Sequence, residues 1–314
     1  MFGAPAPVLE CVAMRLALSL SLLAACGSTS PSNPANPAGP DAAGLPATTD
    51  APVGNATTPT LPTPTGTCPA IAPGDVTFAP AGIPARKVKL SFDPAKVGHG
   101  PLIFYWFATG SAPNEAAYSL GATLGAITSA GGIVAAPYAD ATAGQFEWFI
   151  VNQSAKTDDF VLADEVVGCL AQAQMFDPTH IHSMGMSAGA LQTTAVSFLR
   201  SAYIASVATY SGGVPPGFNP TNEDPANKFA AMIFDGGTSD NVFMVDFQAA
   251  SKAYKSMLDA SGHFTAICDH GKGHAIPLDA APSVAAFFAA NGFGVSPSPY
   301  ANGLPASFPS YCAL

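Results

Sequence analysis

The pentapeptide Gly185-Met186-Ser187-Ala188-Gly189 stands between an apolar run, residues 180–184, and a helix-forming stretch, residues 190–200. A serine with glycine two positions away on each side suits a sharp strand-to-helix turn, whose crowded backbone leaves no room for larger neighbours. Such a turn lifts the hydroxyl out of the chain. It also aims the first helical N–H groups, that of Ala188 included, at the point where negative charge would develop on an attacked carbonyl.

The rest of the chain supplies strands and covering helices in alternation. Residues 101–107 and 132–136 are continuous apolar runs, as expected of strands buried on both faces, and residues 87–92 alternate like an edge strand. Further strands are expected at 204–210, 230–234 and 264–268. Helical spacing occupies 115–130 after Pro113 and Asn114, and 158–174 with Phe160, Val161, Val166, Val167 and Leu170 as its buried stripe. Two more helices are expected at 245–260 and 282–290. This alternation predicts an α/β fold with a mostly parallel central sheet and helices on both faces.

A serine hydroxyl is a poor nucleophile at neutral pH unless an imidazole accepts its proton and a carboxylate orients that imidazole. Asp240 follows the run 230–234 and His274 follows 264–268, so the order is Ser187, Asp240, His274, with acid and base on loops after strands. Asp235 is a competing acid, although its place at a strand end suits capping of the Gly236-Gly237 turn. His270 is a competing base. With Asp269 it also raises a metal, but loop spacing of this kind predicts none, and no CxxC pattern occurs. His99, His180, His182 and His263 read as surface or hydrogen-bonded histidines.

The segments Gly185–Gly189, Gly237-Thr238-Ser239-Asp240-Asn241-Val242 and Gly273-His274-Ala275-Ile276-Pro277, in this order, resemble the extracellular polyhydroxybutyrate depolymerase, feruloyl esterase and acetyl xylan esterase group of α/β-hydrolases over residues 87–293. The resemblance implies the α/β-hydrolase fold, cofactor-free hydrolysis of carboxylic esters, and Ser187, Asp240 and His274 as the catalytic triad. It matches Asp158 and Asp159 with an acidic pair opening the helix before the nucleophile strand, and Trp148 with an aromatic ahead of it. One departure stands out: the group carries His-Gly after the strand preceding the first helix, whereas this chain reads Tyr105-Trp106-Phe107-Ala108-Thr109-Gly110. A main-chain donor does not depend on side-chain identity, so Thr109 or Ala108 is expected to complete the oxyanion hole with Ala188. Trp106 and Phe107 read as core packing rather than substrate wall.

Arg15 and the apolar run 16–25 have the form of an export signal, too short to span a membrane. Leu23-Ala24-Ala25-Cys26-Gly27 resembles a bacterial lipobox with Cys26 as the lipidated residue, and Met14 is a plausible start of translation. Residues 27–66 are Pro-, Ala- and Thr-rich with almost no large apolar side chain, which predicts an extended tether ahead of a catalytic domain at 67–314. An exported protein, secreted or held at the outer membrane or cell surface, is expected to join Cys68, Cys169, Cys268 and Cys312 in two disulfides. Of the three connectivities, Cys68 with Cys312 would clasp the domain ends and leave Cys169 with Cys268.

The net charge of −10 and eleven scattered basic residues give no nucleic-acid footprint. The expected partner is an ester substrate, polymeric or small. Membrane contact is expected only through the lipid anchor, and the protein is expected to be a monomer. A peptidase, an acyltransferase or a surface binding lipoprotein could use the same scaffold. Specificity is expected to rest on loops 139–154 and 212–228 and on the stretch from Ser296.

Overall fold

The computed structural model describes residues 58–218 and 220–314. The expected export signal at 1–26 with its Cys26, and the expected tether as far as residue 57, lie outside the described residues.

In chain order the elements are strands β1 (Gly74–Phe78), β2 (Arg86–Ser91) and β3 (Leu102–Trp106), helices α1 (Glu115–Leu120) and α2 (Ala122–Ser129), and strand β4 (Ile133–Pro137). Helix α3 (Asp158–Gln172), strand β5 (Ile181–Met186), helix α4 (Ala188–Leu199) and strands β6 (Ser206–Tyr210) and β7 (Ala230–Asp235) follow. Next come the short hairpin β8 (Asn241–Val242) and β9 (Val245–Asp246), helix α5 (Phe247–Ala260), strand β10 (Thr265–Asp269), helix α6 (Ala281–Ala290) and strand β11 (Cys312–Ala313).

Nine strands form one sheet in the order β1-β2-β4-β3-β5-β6-β7-β10-β11. From β4 to β10 every pairing is parallel, while at the edges β1 with β2, β2 with β4 and β10 with β11 pair antiparallel. The central strands are buried along their whole length because helices cover both faces, which is why they read as unbroken apolar runs. The edge pair β1-β2 alternates.

Several boundaries differ from expectation. The helix expected at 115–130 is two helices, parted at Gly121, whose φ of +51° only glycine adopts without strain. Strands β1 and β11 are too short or too polar for periodicity to reveal. The hairpin β8-β9 turns on Phe243 and Met244, both at positive φ, where the favoured residues are Asn and Gly. Helix α5 consequently starts at Phe247, capped by the Asp246 side chain accepting from Ala249 N–H at 2.9 Å.

The expected cysteine pairing is wrong. The bonds are Cys68–Cys169 and Cys268–Cys312. Cys268 lies on β10 directly opposite Cys312 on β11, so its nearest sulfur is the one on the neighbouring strand. Cys169 lies on α3 under the segment that carries Cys68. That segment also moves the tether boundary expected at residue 66. Thr60 N–H donates to Ala202 O at 2.8 Å, and the amides of Thr65 and Gly66 donate to the buried carboxylate of Glu165 at 2.7 and 2.9 Å. A Cβ on Gly168 would come within 2.9 Å of both Pro62 and Pro64, so the glycine lets this strap cross the helix. Disulfides of this kind persist in an oxidising compartment. Among the described residues no helix is long and apolar enough to cross a membrane.

Candidate active site

Ser187 occupies the one-residue turn between β5 and α4 with φ +55° and ψ −119°. The flanking glycines are steric necessities: a Cβ at 189 would lie 1.9 Å from Trp106 O, and one at 185 would lie 2.5 Å from the carbonyl oxygens of both Trp106 and Gly189. Ser187 N–H is held by Tyr210 O at 2.9 Å. The strained backbone, which costs on the order of 1–3 kcal/mol, is thereby fixed between β3 and β6.

Three side chains distant in sequence meet here. Ser187 Oγ lies 2.8 Å from His274 Nε2, and His274 Nδ1 lies 2.7 Å from Asp240 Oδ1. The second carboxylate oxygen, Asp240 Oδ2, accepts from Ser211 Oγ and from Gly236 N–H, both at 2.8 Å. Burial by itself would raise the Asp240 carboxyl, but the bonds from His274, Gly236 and Ser211 outweigh it and hold it below its ordinary value. Asp240 is fully buried, Ser187 nearly so, and His274 keeps an exposed edge. The Phe247 ring packs 4.7 Å from the imidazole.

The acid loop and the base loop are joined directly. Gly273 N–H donates to Gly236 O at 2.9 Å, and a Cβ on Gly236 would sit 1.8 Å from Gly273 O. No other residue at 236 permits that approach.

The competing residues lie apart from the hydroxyl. Asp235 accepts from Gly237 N–H at 3.0 Å and lies near the Gln248 amide; burial pushes its carboxyl up. His270 Nδ1 accepts from Lys272 N–H at 3.2 Å, and burial pushes this imidazole down. Among the described residues no group of three or more His, Cys, Asp or Glu is placed to hold a metal ion.

Ala188 opens α4, and it and Thr109 both line the cleft that holds Ser187. Ala108 is withdrawn from that role, because its N–H donates to Glu115 Oε1 at 3.0 Å. Trp106 and Phe107 are buried against Trp148, edge to face at 4.9 Å in each case. The cleft above Ser187 has a volume of about 820 Å³ and is walled by Leu191, Val214, Phe243 and Phe247. An adjoining recess of about 520 Å³ shares Val151, Leu191 and Phe218 with it. Loops 139–154 and 212–228 thus contribute to the cleft, whereas the stretch from Ser296 contributes nothing to its lining. Sequence reasoning missed Ser211, Phe247 and the Phe243-Met244 tip. Of these, only Ser211-Gly212-Gly213, small residues directly after a strand, left a local signal.

No protein-family model and no curated protein matches the sequence. Solved structures do. Native pOPH superposes with a TM-score of 0.63 at 14% identity, covering 79% of this chain and 96% of that one. The chain has the α/β-hydrolase fold. Native sOPH superposes with a TM-score of 0.61, also at 14% identity, over 81% of this chain and 96% of the other. Acylaminoacyl peptidase of Pyrococcus horikoshii reaches 0.50 at 12% identity over 70% of this chain and 41% of the peptidase. Within the α/β-hydrolase fold the Ser187 turn occupies the end of the fifth strand, and Asp240 and His274 follow β7 and β10 at the same rim of the sheet.

Proposed function

We propose that this α/β-hydrolase-fold protein is an exported serine carboxylic ester hydrolase working through an acyl-enzyme. The hydrogen-bonded series Ser187, His274, Asp240, opening onto an apolar cleft, is the observation that carries the reading.

Ser187 Oγ attacks the ester carbonyl while His274 Nε2 takes its proton, and Asp240 stabilises the imidazolium through Nδ1. The N–H groups of Ala188 and Thr109 bind the oxyanion of the tetrahedral intermediate. Its collapse expels the alcohol, which leaves with the proton from His274. Water, deprotonated by the same imidazole, then attacks the acyl-serine and releases the acid. No cofactor enters the scheme.

The walls of Leu191, Val214, Phe218 and Phe247 suit an acyl or aryl group better than a charged one, and the cleft is open enough for a section of a polyester chain. Export is supported by the two disulfides and the apolar run 16–25, with lipidation at Cys26 holding the enzyme at a membrane surface.

Purified protein is tested on p-nitrophenyl esters of rising chain length, methyl ferulate, a polyester film and matched p-nitroanilides. The reading requires ester turnover without anilide cleavage, and fluorophosphonate labelling that disappears in Ser187→Ala. A wild type that neither labels nor hydrolyses any of the esters overturns it.

A further inference from the structure

The loop bearing Thr109 lacks the His-Gly pair of the group it resembles, and it is held from outside instead. Ala108 N–H donates to Glu115 Oε1 at 3.0 Å, and Gly110 N–H donates to Glu147 Oε1 at 2.7 Å. Between these two amides, the Thr109 N–H has no partner among the described residues and its residue faces the Ser187 cleft. Alternate amides are therefore tied back by carboxylates, and the middle one is left for a ligand.

Both carboxylates stand on rigid supports. Glu115 opens α1 and also accepts the Tyr105 hydroxyl at 3.0 Å. Glu147 precedes Trp148, whose Nε1 donates to Phe107 O at 3.0 Å, so adjacent residues grip the loop at its beginning and its end. Phe149 N–H donates to Asp159 Oδ2 at 2.7 Å, and Asp159 forms a buried ion pair with Arg86. The segment carrying Glu147 is thus anchored in the core. A buried main-chain N–H bonded to a side-chain oxygen is costly to release, which suits these bonds to fixing a glycine-ended loop.

We propose that Glu115 and Glu147 are positioning residues that clamp the 108–110 loop so that Thr109 N–H is preset toward the substrate oxyanion opposite Ala188 N–H. This inference rests on the esterase reading above. The clamp replaces the missing His-Gly pair with acceptors supplied by α1 and by the loop after β4. What it requires of residue 147 is an acceptor oxygen, not a charge.

The test compares wild type, Glu147→Ala, Glu147→Gln and Glu115→Ala, each checked by circular dichroism for folding. Turnover of p-nitrophenyl butyrate is measured with Ki for an alkyl trifluoromethyl ketone, whose serine adduct places an oxyanion in the same position. Glu147→Ala is expected to lower kcat by about 10- to 100-fold with KM within about threefold, and to weaken the ketone by a similar factor. Glu147→Gln is expected to restore both. The inference is overturned if folded Glu147→Ala keeps kcat within about twofold of wild type, if its loss is absent from the ketone Ki, or if Glu147→Gln is as defective as Glu147→Ala. An active wild type with an unaffected Glu147→Ala removes the clamp alone. A wild type that neither turns over the ester nor binds the ketone removes the esterase reading and the clamp with it.

Discussion

Ser211 donates its hydroxyl to Asp240 Oδ2 at 2.8 Å from a backbone held at φ +52°, so the carboxylate that meets His274 through Oδ1 is gripped from behind by a residue in the left-handed region. The residue is fully buried at the end of β6, and its geometry orients an acid contributed from the end of β7. A positive φ at a non-glycine residue costs about 1 kcal/mol or more, and the bond to Asp240 offsets part of that.

Ser211→Ala is therefore expected to lower kcat by about tenfold with little change in KM, because the carboxylate loses one of its two rear donors and imidazole orientation loosens. Ser211→Gly should show the same kinetic loss and yet be more stable than Ser211→Ala by about 1 kcal/mol, since glycine accepts the backbone conformation. Steady-state kinetics and urea unfolding of the two variants check this.

Replacing Asp240 with Asn keeps the shape but not the acceptors. Asn carries one oxygen where His274 Nδ1, Ser211 Oγ and Gly236 N–H now share two. Asp240→Asn is expected to lower kcat on the order of 10³- to 10⁴-fold by favouring the wrong imidazole tautomer, and Ser187→Ala on the order of 10⁶-fold. Burst and steady-state assays with a p-nitrophenyl ester measure both.

His263 predicts a loss of stability in mild acid. Its Nδ1 meets Phe229 O at 2.9 Å in a buried site, and burial, with Lys228 nearby, lowers the imidazole to about 4. A folded value below the unfolded one means that the unfolded chain takes the proton first. The neutral ring's contribution is thus fully present above about pH 6.5 and is lost as pH falls toward 4, by about 2–3 kcal/mol. His263→Gln should flatten the stability curve across this window, as read by urea unfolding at successive pH values.

The strap over α3 predicts a local opening. Glu165 accepts three bonds, from Thr65 N–H, Thr65 Oγ1 and Gly66 N–H. Glu165→Ala should cost about 2–3 kcal/mol and expose residues 58–66 to protease, while Glu165→Gln, which keeps an acceptor oxygen, should lose less. Peptide mapping without reduction should recover Cys68 linked to Cys169 and Cys268 linked to Cys312. The bonds close separations of 101 and 44 residues, so removing either should cost about 4–5 kcal/mol on chain-entropy grounds.

What the amino-acid order determined by itself was local in character. Unbroken apolar runs marked the central strands because both faces of each are covered, and the glycines around Ser187 announced a turn that tolerates nothing larger. Asp240 and His274 could be named as candidates because each follows an apolar run in a loop rich in small residues. The hairpin at Phe243 and Met244 escaped because its residues lack turn chemistry. The Gly121 break escaped because apolar spacing continues across it.

Only the tertiary structure decided which distant partners meet. Glu165 and Thr65 are 100 positions apart, Gly110 and Glu147 are 37 apart, and nothing in either local stretch names the other. The same holds for the cysteines, whose pairing follows from β10 lying beside β11 and from the strap crossing α3, not from their separation. Periodicity reports how much of a residue is buried. Which groups share that burial depends on strand order and on the closure of loops between elements, and those are properties of the assembled sheet.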